Sequence, residues 1–458
     1  MSTKGGGNYD VSKTKIPGKE ILSYAVSSGG GNVITTLVGS YYSAYLTDSV
    51  GVAVAAVGTM MVICRVIDAI TNIIMGGIVD RTHTKWGKAR PWLLISAPLV
   101  MISLILAFAV PTGWAENSKV IYMYLTYIFM NCICFTSYMI PDTALCSRMS
   151  LDTYERGKLT SANQIANQLF GLAVSLSIVP LSSSLGWTAT AAIYGVMAMA
   201  GILIGFFGTV ERVGLSDEGT QAKVETTPLS VSLPSLFKNK YFYFLLLFFI
   251  MQLAQASGPN SMIYYYTKEI VGDTGAIAVL STTAMIPAMI MNFFIPSITR
   301  KFGRQRCLLV ATAITILCFG ACSLCGGNMT ALMVILVCKG FSAGFIFACG
   351  FAMAADVVDY GEWKFGVRSD GLINSAVSFG QVFGLGIGPA IANWILGYAG
   401  YDGLAASQTQ SALNAINFNY GWLGAIFAGL MFVFTLFLNM DKFSDQMQAD
   451  LVERRRNK

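Results

Sequence analysis

Charge is scarce in this chain. Only 12% of its 458 residues are Asp, Glu, Lys or Arg, about half the share that a soluble globular chain carries. That is too little to coat several water-soluble domains. Histidine is nearly absent, with His83 alone in a basic loop, so no histidine pair is available for a metal centre or an activated nucleophile. A phosphate-binding loop is lacking too: the nearest Gly-Lys pair, Gly87-Lys88, follows no strand and is followed by Ala89. These absences exclude a soluble enzyme, a disordered chain and a machine driven by ATP bound to this polypeptide. The 10 cysteines lie mostly in apolar runs. Cys322 and Cys325 have a metal-like spacing but no second pair, and they read as small packing residues.

What is present is apolar length. Hydrophobic residues make up 54% of the chain, and mean hydropathy is +0.60. A membrane-spanning helix needs roughly 20 mostly apolar residues, and twelve segments meet that need. They run Leu22–Leu46, Val52–Ile78, Pro91–Val110, Val120–Ile140, Leu159–Ser182, Trp187–Val210, Tyr241–Tyr266, Ala276–Ile298, Cys307–Cys325, Thr330–Ala354, Gly371–Tyr398 and Phe418–Leu438. The runs are continuous and do not alternate, which predicts helices and not a barrel. A polar start leads straight into a full-length span, so no removable signal peptide is expected.

The net charge of +6 is explained by topology and not by nucleic-acid binding. With the N-terminus assigned to the cytoplasm, 26 of the 30 basic residues fall on that side, divided among seven short segments. This is the positive-inside pattern for an even number of helices with both termini cytoplasmic. The expected fold is therefore an all-α membrane protein with twelve transmembrane helices. The polar stretch 211–240 divides it into two six-helix halves, 22–210 and 241–438, with a cytoplasmic arm (1–21) and tail (439–458). The halves echo each other, since Val79-Asp80-Arg81 after the second span has a counterpart in Arg300-Lys301-Phe302-Gly303-Arg304 after the eighth. Two parallel repeats with a solute site between them are the architecture of a rocking secondary transporter. Gly340 with Gly344, and Gly384 with Gly388, permit close helix contacts.

Several segments carry a family likeness. They are Tyr45-Leu46-Thr47-Asp48, the run from Arg65 through Asp68 and Thr71-Asn72 to Asp80-Arg81, Lys85-Trp86-Gly87-Lys88, Ile140-Pro141, Glu155-Arg156, Asp356 through Asp359-Tyr360-Gly361-Glu362, and Gly366 through Arg368 to Gln381. Together they resemble the glycoside–pentoside–hexuronide:cation symporters of the major facilitator superfamily, across essentially the whole chain. The resemblance implies the major facilitator fold, transport of a sugar derivative and a coupling Na⁺ or H⁺. The chain departs from the family at charged positions. The second helix-two carboxylate is Asn72 here, and the membrane lysine expected after Phe379-Gly380-Gln381 is Val382. Other charged positions of the family fall on Asn32, about Met139, and Asn163 or Gln164.

Just three ionisable residues lie deep in the predicted spans: Arg65, Asp68 and Lys339. Such groups are costly in a bilayer and are functional candidates by default. Arg65, Asp68, Thr71 and Asn72 share one helical face. Asp68, Thr71 and Asn72 offer hard oxygen ligands suited to Na⁺; the same groups suit sugar hydroxyls, and a purely structural ion pair is a third reading. Lys339 reads as a second buried cation that would balance an anionic sugar, or as a snorkelling side chain. Asn32, Tyr138, Asn163, Gln164, Asn167, Gln168, Gln252, Gln255, Asn374 and Gln381 complete a candidate solute-binding set. An amide at position 72 cannot take a proton, and Arg65 would disfavour protonation of Asp68, so weak or absent proton coupling is expected. Asp80, Arg81, Asp142, Arg148, Arg156, Arg300, Asp356, Asp359, Glu362 and Arg368 are expected at cytoplasmic helix ends as a charged gate.

The leading expectation is a monomeric sugar-derivative carrier of a bacterial inner membrane, surrounded by lipid, with no nucleic-acid partner and no cofactor. Two alternatives stand beside it: an uncoupled facilitator of a non-sugar or amphipathic solute, and a membrane scaffold or receptor without transport.

Overall fold

Long apolar runs in hydrocarbon leave the helix as the local solution, because every backbone N–H and C=O must be satisfied within the segment. The computed structural model describes residues 15–150, 153–212, 237–366, 370–405, 407–440, 446, 447 and 450. Among them the chain forms helices α1 (Gly18–Leu37), α2 (Val54–Arg81), α3 (Arg90–Ala107), α4 (Glu116–Met149), α5 (Thr153–Leu185) and α6 (Trp187–Gly208). They are followed by α7 (Lys240–Ser261), α8 (Ala276–Phe302), α9 (Arg304–Leu324), α10 (Met329–Phe365), α11 (Asp370–Tyr398) and α12 (Gln410–Phe437). Widened π-type turns continue α1 at Val38–Tyr42 and Tyr45–Ser49 and interrupt α4 at Phe129–Phe135.

Ten of these helices are long and apolar enough to cross a membrane. The remaining two predicted spans fall on α1 and α8. In α1 the run Ser27-Ser28-Gly29-Gly30-Gly31-Asn32 dilutes the apolar content, and α8 itself runs for 27 residues, Ala276–Phe302.

By packing, the chain forms two compact units, Met1–Val38 with Val66–Ala222 and Gly39–Arg65 with Lys223–Lys458. In the first unit α1 packs on α5 and α6, and α3 on α6 and α4. Gly30 of α1 and Gly201 of α6 meet backbone to backbone. Glu211, only 2% exposed, accepts the N–H groups of Lys88, Ala89 and Arg90 at 2.8 to 3.0 Å. A carboxylate there satisfies the orphan donors at the start of α3 and complements its dipole. Gly87 (φ +109°) lies so close that a Cβ would strike the Glu211 carboxylate.

In the second unit α7 is the central helix, packed on α11 and α12, while α10 packs on α8 and α9. Its core joins Phe248 and Phe249 of α7 to Met353 and Val357 of α10 and Met431 of α12. Residues 39–65 belong here because their side chains engage α11. Ser43 Oγ donates to Asn393 Oδ1 at 2.7 Å, and Trp394 Nε1 donates to Thr59 Oγ1 at 3.2 Å.

The glycine pairs read from the sequence explain the close helix contacts. A Cβ on Gly384 would sit 2.4 Å from the Ile250 carbonyl oxygen, and one on Gly388 would sit 2.5 Å from that of Ala254, both on α7. Gly384→Ala should therefore force α7 and α11 apart at a cost of about 1–3 kcal/mol. Thermal melting in detergent should show a clear drop for that variant and none for Gly429→Ala, which meets nothing within 4 Å. Equal melting of the two would refute the packing argument.

Candidate solute site

In the first unit, polar side chains from α1, α2, α4 and α5 converge in small groups. Asp68 of α2 is 7% exposed and accepts from Thr136 Oγ1 of α4 at 3.1 Å. Thr71 turns its hydroxyl back to the Asp68 carbonyl at 3.1 Å. The Asn72 Oδ1 is buried and has no hydrogen-bond partner among the described residues. On the α1–α5 seam, Asn32 Nδ2 donates to the Asn167 carbonyl at 2.6 Å, and Asn167 Nδ2 donates to Asn163 Oδ1 at 2.7 Å. Gly171 lets that seam close, since its Cβ would lie 3.1 Å from Asn32 Nδ2. Asn167 Oδ1 and Gln168 Oε1 are also buried and unpartnered among the described residues. Tyr138 donates to the Ser27 carbonyl at 2.8 Å and lays its ring against Gly31. Gln164 is exposed.

The second unit carries Gln252 and Gln255 on α7, each with a buried side-chain oxygen that has no partner among the described residues. The Arg65 stem packs on Gly386 of α11, and Gln381 is half-buried. Helical spacing puts Arg65 and Asp68 on one face; the Arg65 stem also meets Gly386 of α11, and Asp68 also meets Thr136 of α4. Lys339 places its Nζ 4.0 Å above the Phe319 ring of α9, beside Cys318 and Cys322. A cation over an aromatic face is partly compensated without a counter-ion, so Lys339 is engaged with α9. The side chain of Asn374 lies outside the described residues.

The expected gate charges are mostly tied locally. Arg148 pairs with Asp80 at 3.1 Å, and Arg156 donates to the Ser150 carbonyl at 2.7 Å. Asp356 pairs with Arg304. Arg81 is exposed, and Asp359 and Glu362 are half-buried on α10. Arg368 and the Arg300 side chain lie outside the described residues. Asp142 departs from the helix-end expectation. It is 6% exposed and accepts from Ser27 and Ser28 of α1 at 2.9 and 2.8 Å.

One charged cluster was not anticipated. Asp48 takes Lys268 Nζ at 2.6 Å, Tyr401 Oη at 3.1 Å and Thr47 Oγ1 at 2.9 Å. Tyr265 packs edge-on against Tyr401 and hydrogen-bonds Thr47 at 2.8 Å. Burial works against the Lys268 ammonium, but the Asp48 carboxylate outweighs it and holds the lysine above its ordinary value. Asp48 stands in a segment of the family likeness, but its partner is 220 residues away, and no local signal links the two.

Comparisons with known proteins identify the family and the fold. The sequence profile described as MFS/sugar transport protein matches residues 23–442. The chain belongs to that family. An isoprimeverose transporter of Lactiplantibacillus pentosus is 31% identical, over 97% of this chain and 93% of that protein. A glucuronide carrier protein homolog of Escherichia coli (strain K12) is 28% identical over 86% of each. Among solved structures, a D-xylose–proton symporter superposes with a TM-score of 0.65 at 16% identity, covering 91% of this chain and 96% of that one. The nucleoside transporter NupG gives 0.65 at 14% identity, covering 93% and 100%. At such identities these structures establish the fold, that of the major facilitator superfamily. This member of the sugar transport family is thus a membrane-spanning transporter and not an enzyme.

Asp48→Asn would remove one of the two carboxylates beside Lys268, which is a third exposed, and leave Glu269 as the charged partner. In this transporter it should cost about 1–3 kcal/mol, read as a lower melting temperature in detergent. Asp48→Glu should recover part of the loss. An unchanged melt for Asp48→Asn would show that the cluster contributes nothing to the fold.

Proposed function

We propose that the protein is a twelve-span carrier that moves a glycoside, pentoside or hexuronide through a bacterial inner membrane by alternating access, with both termini in the cytoplasm. The observation that carries the reading is that each unit has buried amide oxygens unpartnered among the described residues, Asn72, Asn167 and Gln168 in the first and Gln252, Gln255, Asn417 and Asn419 in the second. An unsatisfied carbonyl inside a membrane protein is expensive. A solute that brings many hydroxyl donors repays that cost, and a sugar is such a solute. The relatives, an isoprimeverose transporter and a glucuronide carrier homolog, support the same class. The basic loops on one side support the orientation.

Uptake of isoprimeverose, a glucuronide and lactose into proteoliposomes tests the reading, with saturable flux of at least one expected. Asn167→Ala and Gln255→Ala should then raise the KM for that sugar by about three- to tenfold. Absence of flux for every glycoside, from protein shown to be folded, would refute it.

A further inference from the structure

Asp142 is a buried carboxylate whose role the sugar-binding reading leaves open. It lies seven residues before the end of α4, about 10 Å along the axis at 1.5 Å per residue. Ser27 and Ser28 lie about 14 Å from the start of α1 by the same measure. The two ends concerned carry Arg148 and Lys19, so Asp142 sits well inside the bundle from the basic side. Its two oxygens are shared out evenly. Ser27 Oγ donates to Oδ1 at 2.9 Å, and Ser28 Oγ donates to Oδ2 at 2.8 Å. The site is built tightly, since a Cβ on Gly205 of α6 would lie 2.6 Å from Ser27 Oγ. Tyr24 Oη reaches the Asp142 carbonyl at 3.4 Å.

The charged groups of the surrounding elements are engaged elsewhere. On α4 itself, Arg148 pairs with Asp80. On α5, Arg156 donates to the Ser147 and Ser150 carbonyls, and Glu155 holds Lys158. On α1, Glu20 holds Arg212. On α3, Arg90 donates to the Phe206 carbonyl. The titratable groups that face Asp142 are Tyr24, Tyr138 and Cys146, none of them a cation. Among the described residues no Lys, Arg or His pairs with it.

A carboxylate at this depth without a counter-ion is stabilised only by its hydroxyl donors, and the alternative is to take up a proton. Both serine hydroxyls can turn to accept, so the protonated acid can donate to Ser27 or Ser28 with no movement of the backbone. The two protonation states therefore use the same cradle, with one of its two hydrogen bonds reversed. We propose that Asp142, cradled by Ser27 and Ser28 across the α1–α4 contact, is the proton-binding site through which this carrier couples solute movement to a pH gradient. The site lies on the two helices that carry Asn32 and Tyr138, so a change in its charge bears on the packing that positions those candidate solute residues. It also supplies the acid that Asn72 does not.

Infrared difference spectra of the full-length protein in nanodiscs, titrated from about pH 5 to about pH 9 without sugar, test the site directly. A protonated-carboxyl band that titrates in wild type and is missing in Asp142→Asn is expected. No difference between the two would overturn the proposal, as would loss of the band on adding Na⁺ at fixed pH, which would mark a sodium site. In proteoliposomes Asp142→Asn should equilibrate isoprimeverose but fail to accumulate it under an imposed pH gradient; accumulation equal to wild type would overturn it. Should Asp142→Asn fail to fold, the Ser27→Ala/Ser28→Ala pair keeps the acid and removes donors to its charged form. It should move the infrared midpoint up by about one pH unit, and an unmoved midpoint would overturn the assignment. The uptake arm rests on the sugar-carrier reading, whereas the infrared arm does not, so the two can fail separately.

Discussion

Hydrocarbon offers no hydrogen bonds, and each polar group placed in it must find a partner inside the protein or in what the protein carries. The helices answer this for the backbone. Serine and threonine answer it locally, as when Thr126, Ser177 and Thr282 donate to carbonyls one turn back on their own helices. Glycine answers it by proximity: where Gly30 meets Gly201, and Gly384 meets Ile250, backbones approach and leave no space to hydrate. The side-chain oxygens of Asn72, Asn167, Gln168, Gln252 and Gln255 stand out because nothing among the described residues answers them. A polar solute is the remaining kind of partner.

The same constraint sorts the charges. Those near helix ends pair at short range, as Asp80 does with Arg148 and Asp356 with Arg304. Glu211 serves as the anionic cap of α3 and so fixes the chain where the linker begins. Asp48 gathers a lysine, a tyrosine and a threonine, which binds the end of the first helical stretch to the segment after α7 and to the loop after α11. Glu211 and Asp48 each replace hydration with several directed donors, which is how an ionised group is retained away from bulk water. Among the described residues Asp142 receives hydroxyls but no cation, and that imbalance makes it chemically different from Asp48, Asp80 and Asp356.

Much of the architecture was legible because a spanning helix is a one-dimensional object: length and hydropathy mark it without reference to any other residue. Family membership was legible for a similar reason, since Arg65 through Asp80-Arg81 and Tyr360-Gly361-Glu362 are contiguous patterns. The polar set on α1, α2, α5 and α7 was visible as polar residues in apolar runs. Which of them have partners was not, because Asn32 is satisfied by a carbonyl 135 residues away and Gln255 Oε1 has no partner among the described residues. Asp142 was misplaced for a specific reason. Six residues before Arg148 in a segment rich in Ser and Thr, it reads as part of a charged helix end, and only the packing of α1 on α4 buries it. Lys339 reads as a deep, isolated cation, and only the position of the Phe319 ring supplies its neighbour.

The sequence by itself determined the class of the molecule: helices in a membrane, a carrier family, and a charge content too small for anything soluble. Those properties are sums or short-range patterns along one chain. Tertiary structure decided which buried polar atoms are satisfied, which carboxylate is paired and which is cradled by hydroxyls alone. It also decided that residues 39–65 pack with the second unit. The reason is physical. Burial, pairing and desolvation are set by the few ångströms around a side chain, and in a helical membrane protein those neighbours come from other helices, often more than a hundred residues away.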